Sequence, residues 1–172
     1  MSFAQPKVMS FAPPKARGCA PPKAMKEVTI YADGACKGNP GPGGWGAVLT
    51  YKEHRKEISG SQGSATNQQM ELTAAIQALS ALKEPCQVKV YSDSQYLVKG
   101  MSEWIKGWVE RGWRTTQRKP VMNQELWQKL LEASQRHEVE WIWVEGHAGH
   151  KLQERANELA QAAAEAELAK TA

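Results

Sequence analysis

The sequence predicts an α/β domain built on a mixed five-stranded sheet. Three observations carry this expectation. Three strand-like segments follow one another between residues 28 and 61 with meander spacing. After residue 66, helical and strand-like segments alternate. The apolar positions of the first helical segment recur on one face of a helix. A chain of 172 residues fits a single domain of this kind.

Residues 1–25 stand apart. Ser2-Phe3-Ala4-Gln5-Pro6-Lys7 recurs as Ser10-Phe11-Ala12-Pro13-Pro14-Lys15, and more weakly as Cys19-Ala20-Pro21-Pro22-Lys23. Prolines restrict φ and remove donors, so the stretch reads as an extended, disordered Pro/Lys-rich tail. The domain then spans 26–172. Residues 28–32 form the first strand by alternation and β-propensity. The glycines and prolines of 38–44 predict a turn or loop. Residues 45–52 and 56–61 read as the second and third strands, antiparallel to their neighbours. Thr66 or Asn67 reads as an N-cap. Leu72, Ala75, Ile76, Leu79 and Leu82 then define a helix over 68–83, ended by Pro85. Residues 88–92 are the fourth strand. Helical segments follow from Ser94 to about His137, broken at Gly112 and Pro120. Residues 139–144 are the fifth strand, 146–150 a loop, and 152–168 an Ala-rich closing helix.

Composition narrows the function. The mean hydropathy is −0.57, and no apolar run approaches the ~20 residues that cross a bilayer. No apolar leader stands at the N-terminus. Three cysteines in no CxxC pair argue against a disulfide framework or a zinc cluster. A reducing compartment, the cytoplasm, is expected, with a monomer as the default. The first 26 residues hold five bases and no acid, leaving 17 bases against 18 acids. The basic balance therefore belongs to the tail, and nucleic-acid binding by the domain needs a local patch. Residues 99–119 supply one. Lys99, Lys106, Arg111, Arg114, Arg118 and Lys119 outnumber Glu103 and Glu110, with Trp104, Trp108 and Trp113 interleaved. A solvated helix with its tryptophans in the core is the alternative.

Three acids stand out by position. Asp33 and Asp93 follow two strands that a parallel pairing would bring to one edge, where ligands bind in such sheets. Glu71 sits in the first turn of its helix, on the face toward the sheet. Three converging carboxylates repel one another unless hard cations join them, and oxygen ligands favour Mg²⁺. Two such ions clamp a phosphoryl centre. Ordinary cap and turn acids are the alternative.

Four motifs carry a resemblance. Tyr31-Ala32-Asp33-Gly34-Ala35-Cys36-Lys37-Gly38-Asn39-Pro40-Gly41-Pro42-Gly43-Gly44 resembles the first motif of bacterial ribonuclease HI. Thr66-Asn67-Gln68-Gln69-Met70-Glu71-Leu72 resembles the second, and Tyr91-Ser92-Asp93-Ser94-Gln95-Tyr96 the third. Trp143-Val144-Glu145-Gly146-His147-Ala148-Gly149-His150 resembles the catalytic loop. All four stand in the family's order, over about 27–164. The resemblance implies an RNase H-like fold and two-metal-ion hydrolysis of the RNA strand of RNA/DNA hybrids. The products would carry 5′-phosphate and 3′-hydroxyl ends. It implies Asp33, Glu71 and Asp93 as ligands of two Mg²⁺ ions, with Mn²⁺ as a substitute. It implies His147 as an aid to proton transfer or product release, a task that suits a group titrating near neutrality.

The fourth family ligand is an Asp, and here the position holds Asn157. An amide oxygen is a weaker ligand for a hard cation, and the NH₂ is a donor. Asn157 is expected to lower catalysis; the neighbouring Glu158 points about 100° away on a helix. Either a specialised natural enzyme or an engineered Asp→Asn accounts for it, the second being favoured. The resemblance also implies hybrid contacts by Cys36, Asn39, Thr66, Asn67, Gln68 and Gln95. Trp104, Trp108 and Lys119 fall in a stretch resembling the bacterial basic handle. Short polar groups suit the reading of 2′-hydroxyls in a shallow minor groove. An inactive hybrid-binding module and a DNA-cutting nuclease of the same layered fold are the rival readings.

Overall fold

The computed structural model describes residues 8–10, 25–145 and 150–170. Its strands are β1 (Val8–Ser10), β2 (Lys26–Cys36), β3 (Gly41–Tyr51), β4 (His54–Ala65), β5 (Cys86–Ser92) and β6 (Glu138–Trp143). They form one sheet in the order β1-β6-β5-β2-β3-β4. The three-strand meander is antiparallel, with Thr29 opposite Thr50 and Ala47 opposite Ile58. β5 pairs parallel with β2, and β6 parallel with β5. This is the expected mixed sheet.

Two expectations need correction. The sheet has a sixth strand among the described residues. Val8–Ser10, inside the segment read as a disordered tail, pairs antiparallel with β6, Met9 opposite Trp141. The open edge of β6 has unpaired backbone groups, and any short extended segment of the chain can satisfy them. Prolines flank Val8–Ser10 without entering it. The Gly/Pro stretch 38–44 is also not all turn: β3 begins at Gly41, and only residues 37–40 reverse the chain. Its glycines stay in the ladder because neighbouring elements press on them from both sides.

The helices are α1 (Asn67–Ser80), α2 (Gln95–Lys99), α3 (Ile105–Glu110), α4 (Gln124–Gln135) and α5 (Lys151–Ala169), with a π-helical turn at Gly100–Trp104. α1 packs on β2 and β3 and against α4, whereas α5 packs on β2, β3 and β4. Alternation along β2 separates the two faces. Gly34 faces α1, while Asp33 and Ala35 face α5. Ile30, Val48, Leu72, Leu79, Val90, Leu97, Trp127 and Trp141 are buried between these layers. α1 starts where Thr66 caps it in a complete capping box with Gln69.

Candidate active site

The site begins with strand register. β2 and β5 run parallel and pair as far as Tyr31 opposite Tyr91. Asp33 and Asp93 each lie two residues further on, so they arrive at the same edge. Glu71 reaches them from α1 because of Gly34. A Cβ on Gly34 would lie 2.5 Å from the Glu71 backbone nitrogen and 2.6 Å from the Met70 carbonyl carbon. Only a residue without a side chain lets the first turn of α1 come this close. Asn157 arrives from the opposite face by the same device: a Cβ on Gly46 would lie 2.7 Å from the Ala156 carbonyl oxygen.

Asp33 is buried. Its Oδ1 accepts from the Gly34 backbone N–H and its Oδ2 from the Asn157 Nδ2, each at 2.8 Å. Burial, reinforced by the Asp93 charge, pushes the Asp33 carboxyl up to about 6. Burial also raises Glu71 to about 7, aided by Asp33 and Asp93 and opposed by the Ser94 hydroxyl. One oxygen each of Asp33, Glu71 and Asp93 lie within 4.8 Å of one another. Three acids this close, two of them shifted toward neutrality, form an all-oxygen donor set for a hard cation. A cavity of about 250 Å³ opens beside Asp33 and Asp93, lined also by Gln153, Glu154, Asn157 and Glu158. Glu158 is tied to Arg155 at 3.0 Å, and Arg155 makes a two-pronged ion pair with Glu57 of β4.

The remaining sequence candidates fall around this cluster. The Cys36 thiol bonds the Ala65 carbonyl at 3.2 Å, which closes the far end of β2. Asn39 and Asn67 join at 3.2 Å through the Asn67 backbone N–H, and Gln68 and Gln95 are exposed at the starts of α1 and α2. The Thr66 hydroxyl is occupied as a cap. Trp104 is 37% exposed, and Trp108 is half-buried. Their rings lie 5.9 Å apart; that of Trp108 rests on the buried Trp127 at 5.2 Å, and that of Trp104 meets Tyr96 edge-on at 6.1 Å. Lys119 is exposed in the loop after α3. His147 lies outside the described residues.

Sequence reasoning missed three groups. Ser94 caps α2, and its side chain opposes the upward shift of Glu71. A relay from Gln69 through Asn123 to Tyr96 and Trp127 ties α1 to the aromatic segment. Gln153, 7% exposed, bonds the Ala32 carbonyl at 3.0 Å. Only Gln153 had a legible signal, since it stands four residues before Asn157 on a helix.

Fold and cluster together define a class. Residues 25–165 match the RNase H family, and the chain belongs to it. Membership places it among the hydrolases called ribonuclease H. It is 60% identical to the Ribonuclease H of Chelativorans sp. (strain BNC1) over 80% of this chain and 85% of that protein. It is 59% identical to the Ribonuclease HI of Caulobacter vibrioides, over 78% of this chain and 90% of that one. Among solved structures, LC9-RNase H1, a type 1 RNase H with the type 2 active-site motif, superposes with a TM-score of 0.77. It is 35% identical, covering 84% of this chain and 75% of that one. LC11-RNase H1 in complex with RNA/DNA hybrid superposes at 0.66 with 25% identity, covering 82% and 99%.

Proposed function

We propose that this chain is an endoribonuclease that hydrolyses the RNA strand of RNA/DNA hybrids at the Asp33–Glu71–Asp93 cluster. Mg²⁺ is the cofactor of choice, as two ions, and Mn²⁺ a substitute. The convergence of three carboxylates at one sheet edge carries this reading. When bound, the cations supply Lewis-acid stabilisation of the phosphoryl centre and a lowered pKa for the attacking water. The chain's own residues do the rest. Asp33, Glu71 and Asp93 hold the charge, and Asn157 offers a weaker oxygen. The Gly34 N–H orients the Asp33 carboxylate, and the Ser94 side chain favours the charged form of the half-buried Glu71. His147 assists proton transfer or product release. Products carry 5′-phosphate and 3′-hydroxyl ends.

Recognition falls to the surroundings. Cations of residues 99–119, Lys119 among them, meet phosphates and release counterions. Trp104 and Trp108 present rigid aromatic surface to sugars. Asn39, Asn67, Gln68 and Gln95, with the turn near Cys36, read the 2′-hydroxyl face of the hybrid, and Thr66 meets a phosphate on the DNA-strand side. No described helix is long and apolar enough to cross a membrane. A cytoplasmic monomer is the setting proposed, with residues 1–25 as an appendage to a domain at 26–172.

One observation favours a second reading. The Asn157 NH₂ is turned toward Asp33, a donor where the family's ligand would offer oxygen. A weak or inactive hybrid-binding module fits that. The deciding assay incubates labelled RNA/DNA hybrid with the wild-type chain and with Asn157→Asp in Mg²⁺. Faster RNA-strand cleavage by Asn157→Asp, by at least about tenfold, is expected. Binding without cleavage by either protein would overturn the enzymatic reading.

A further inference from the structure

Gln153 and Asn157 lie one turn apart on the same face of α5 and line the same cavity as Asp33 and Asp93. The Gln153 Nε2 is used, donating to the carbonyl of Ala32, the residue before Asp33. The Gln153 Oε1 is buried and has no hydrogen-bond partner among the described residues. A buried acceptor without a donor is costly, so its retention needs a reason. Asn157 supplies one. Its Nδ2 is committed to the Asp33 Oδ2. To offer oxygen to a cation, the amide must turn over about its Cβ–Cγ bond, which exchanges Oδ1 and Nδ2. The displaced NH₂ then needs an acceptor. Asp33 no longer suits, because its oxygens are drawn to the same cation.

We propose that Gln153 is a positioning residue for Asn157: its Oε1 receives the Asn157 NH₂ when Asn157 turns its Oδ1 toward a cation held by Asp33. This rests on the reading of Asn157 as a ligand. One hydrogen bond is exchanged for another, and no covalent bond changes. An aspartate at 157 has no NH₂ to place, so there the Gln153 Oε1 has no such task. The bond from Gln153 to Ala32 is needed in both cases. The contribution of Gln153 to cation affinity should therefore depend on residue 157.

The test is a double-mutant cycle read by calorimetry of Mn²⁺ binding to the full chain without hybrid. The four proteins are wild type, Gln153→Met, Asn157→Asp and the double variant. Methionine keeps the length and removes both polar atoms. Gln153→Met is expected to weaken Mn²⁺ binding about tenfold with Asn at 157, and by less than about twofold with Asp. Equal weakening in both backgrounds, or none with Asn, overturns the proposal. The Asn157→Asp comparison tests the ligand reading separately: tighter Mn²⁺ binding is expected, and unchanged affinity sinks that reading itself. Should Gln153→Met fail to fold, side-chain amide NMR of the wild-type chain decides. Saturating Mg²⁺ should shift the Asn157 NH₂ resonances and bring them into contact with the Gln153 side chain. Resonances that stay in place overturn the proposal.

Discussion

The acid cluster and the basic aromatic segment sit on one molecule under opposite electrostatic regimes. Asp33 and Glu71 are largely removed from water and held in a state that resists ionisation. The cations of residues 99–119 are exposed, held by loop hydrogen bonds such as Arg111 to the Arg114 carbonyl and by a stack of aromatic rings that reaches Trp127. One region stores a charge problem that a cation resolves. The other keeps its charges hydrated, and on the proposed reading phosphate displaces their counterions. Chemistry needs the first arrangement because fields are strong where water is scarce. Recognition without sequence preference needs the second because hydrated cations are easily exchanged.

Removing one member of the cluster should break the comparison most visibly. Asp93→Asn or Asp33→Asn is expected to lower hybrid cleavage on the order of 10²–10³-fold. Thermal unfolding in EDTA at pH 8 should meanwhile show no loss for Asp33→Asn, since a penalised charge has been removed. A clear loss of stability there would mean that Asp33 is structural rather than a stored ligand.

Gly34→Ala should come next. The added methyl must displace the backbone of Met70 and Glu71, at a cost of about 1–3 kcal/mol. Denaturant unfolding measures it, and cleavage should fall as well because Glu71 is moved. Unchanged activity would show that Glu71 is not needed at that spot.

A third measurement separates the regions by pH. Asp33 and Glu71 titrate at about 6 and about 7 when folded, against ordinary values of 3.8 and 4.5. Between those limits the folded chain binds more protons than the unfolded one, so stability falls as pH rises. Their penalty is absent below about pH 4 and complete above about pH 7. In EDTA, Tm should therefore decline across this window, and Glu71→Gln should flatten the decline. Mg²⁺ should raise Tm more at pH 8 than at pH 5.5, because protons compete for the same oxygens. The Arg155–Glu57 pair acts in the opposite direction, holding Glu57 at about 2. Its contribution is complete above about 4.5 and lost as pH falls toward 2, almost entirely below this window.

The smallest effect belongs to the basic segment. Lys119→Ala should raise KM severalfold with kcat unchanged, and reduce the salt slope of hybrid binding by about one. A fall in kcat instead would tie Lys119 to the reacting phosphate.

Much of the site was legible in the chain. Asp33, Glu71 and Asp93 were recoverable because strand ends and a first helical turn are local features. The interleaved cations and tryptophans of 99–119 were legible as a patch, but not the seating of Trp108 on Trp127. That depends on α4, which joins the ring stack from more than fifteen residues away. Thr66 and Asn67 read as cap candidates, and the structure selects Thr66, since the Gln69 side chain completes its box. β1 was hidden because a three-residue strand has no period of its own; the free edge of β6 selects it.

Apart from β1, the sequence by itself determined the order of strands and helices, the mixed sheet and the acids at its edge. Those follow from residue spacing, turn chemistry and ladder periodicity, all of which act over a few neighbours. Only the tertiary structure decided that Asn157 presents a donor to Asp33, that the buried Gln153 Oε1 has no partner among the described residues, and that two carboxylates rise toward neutral pH. Hydrogen-bond partners and dielectric surroundings are properties of packed elements. Residues 33 and 157 meet only when α5 closes on β3 over Gly46, and no local pattern records that meeting.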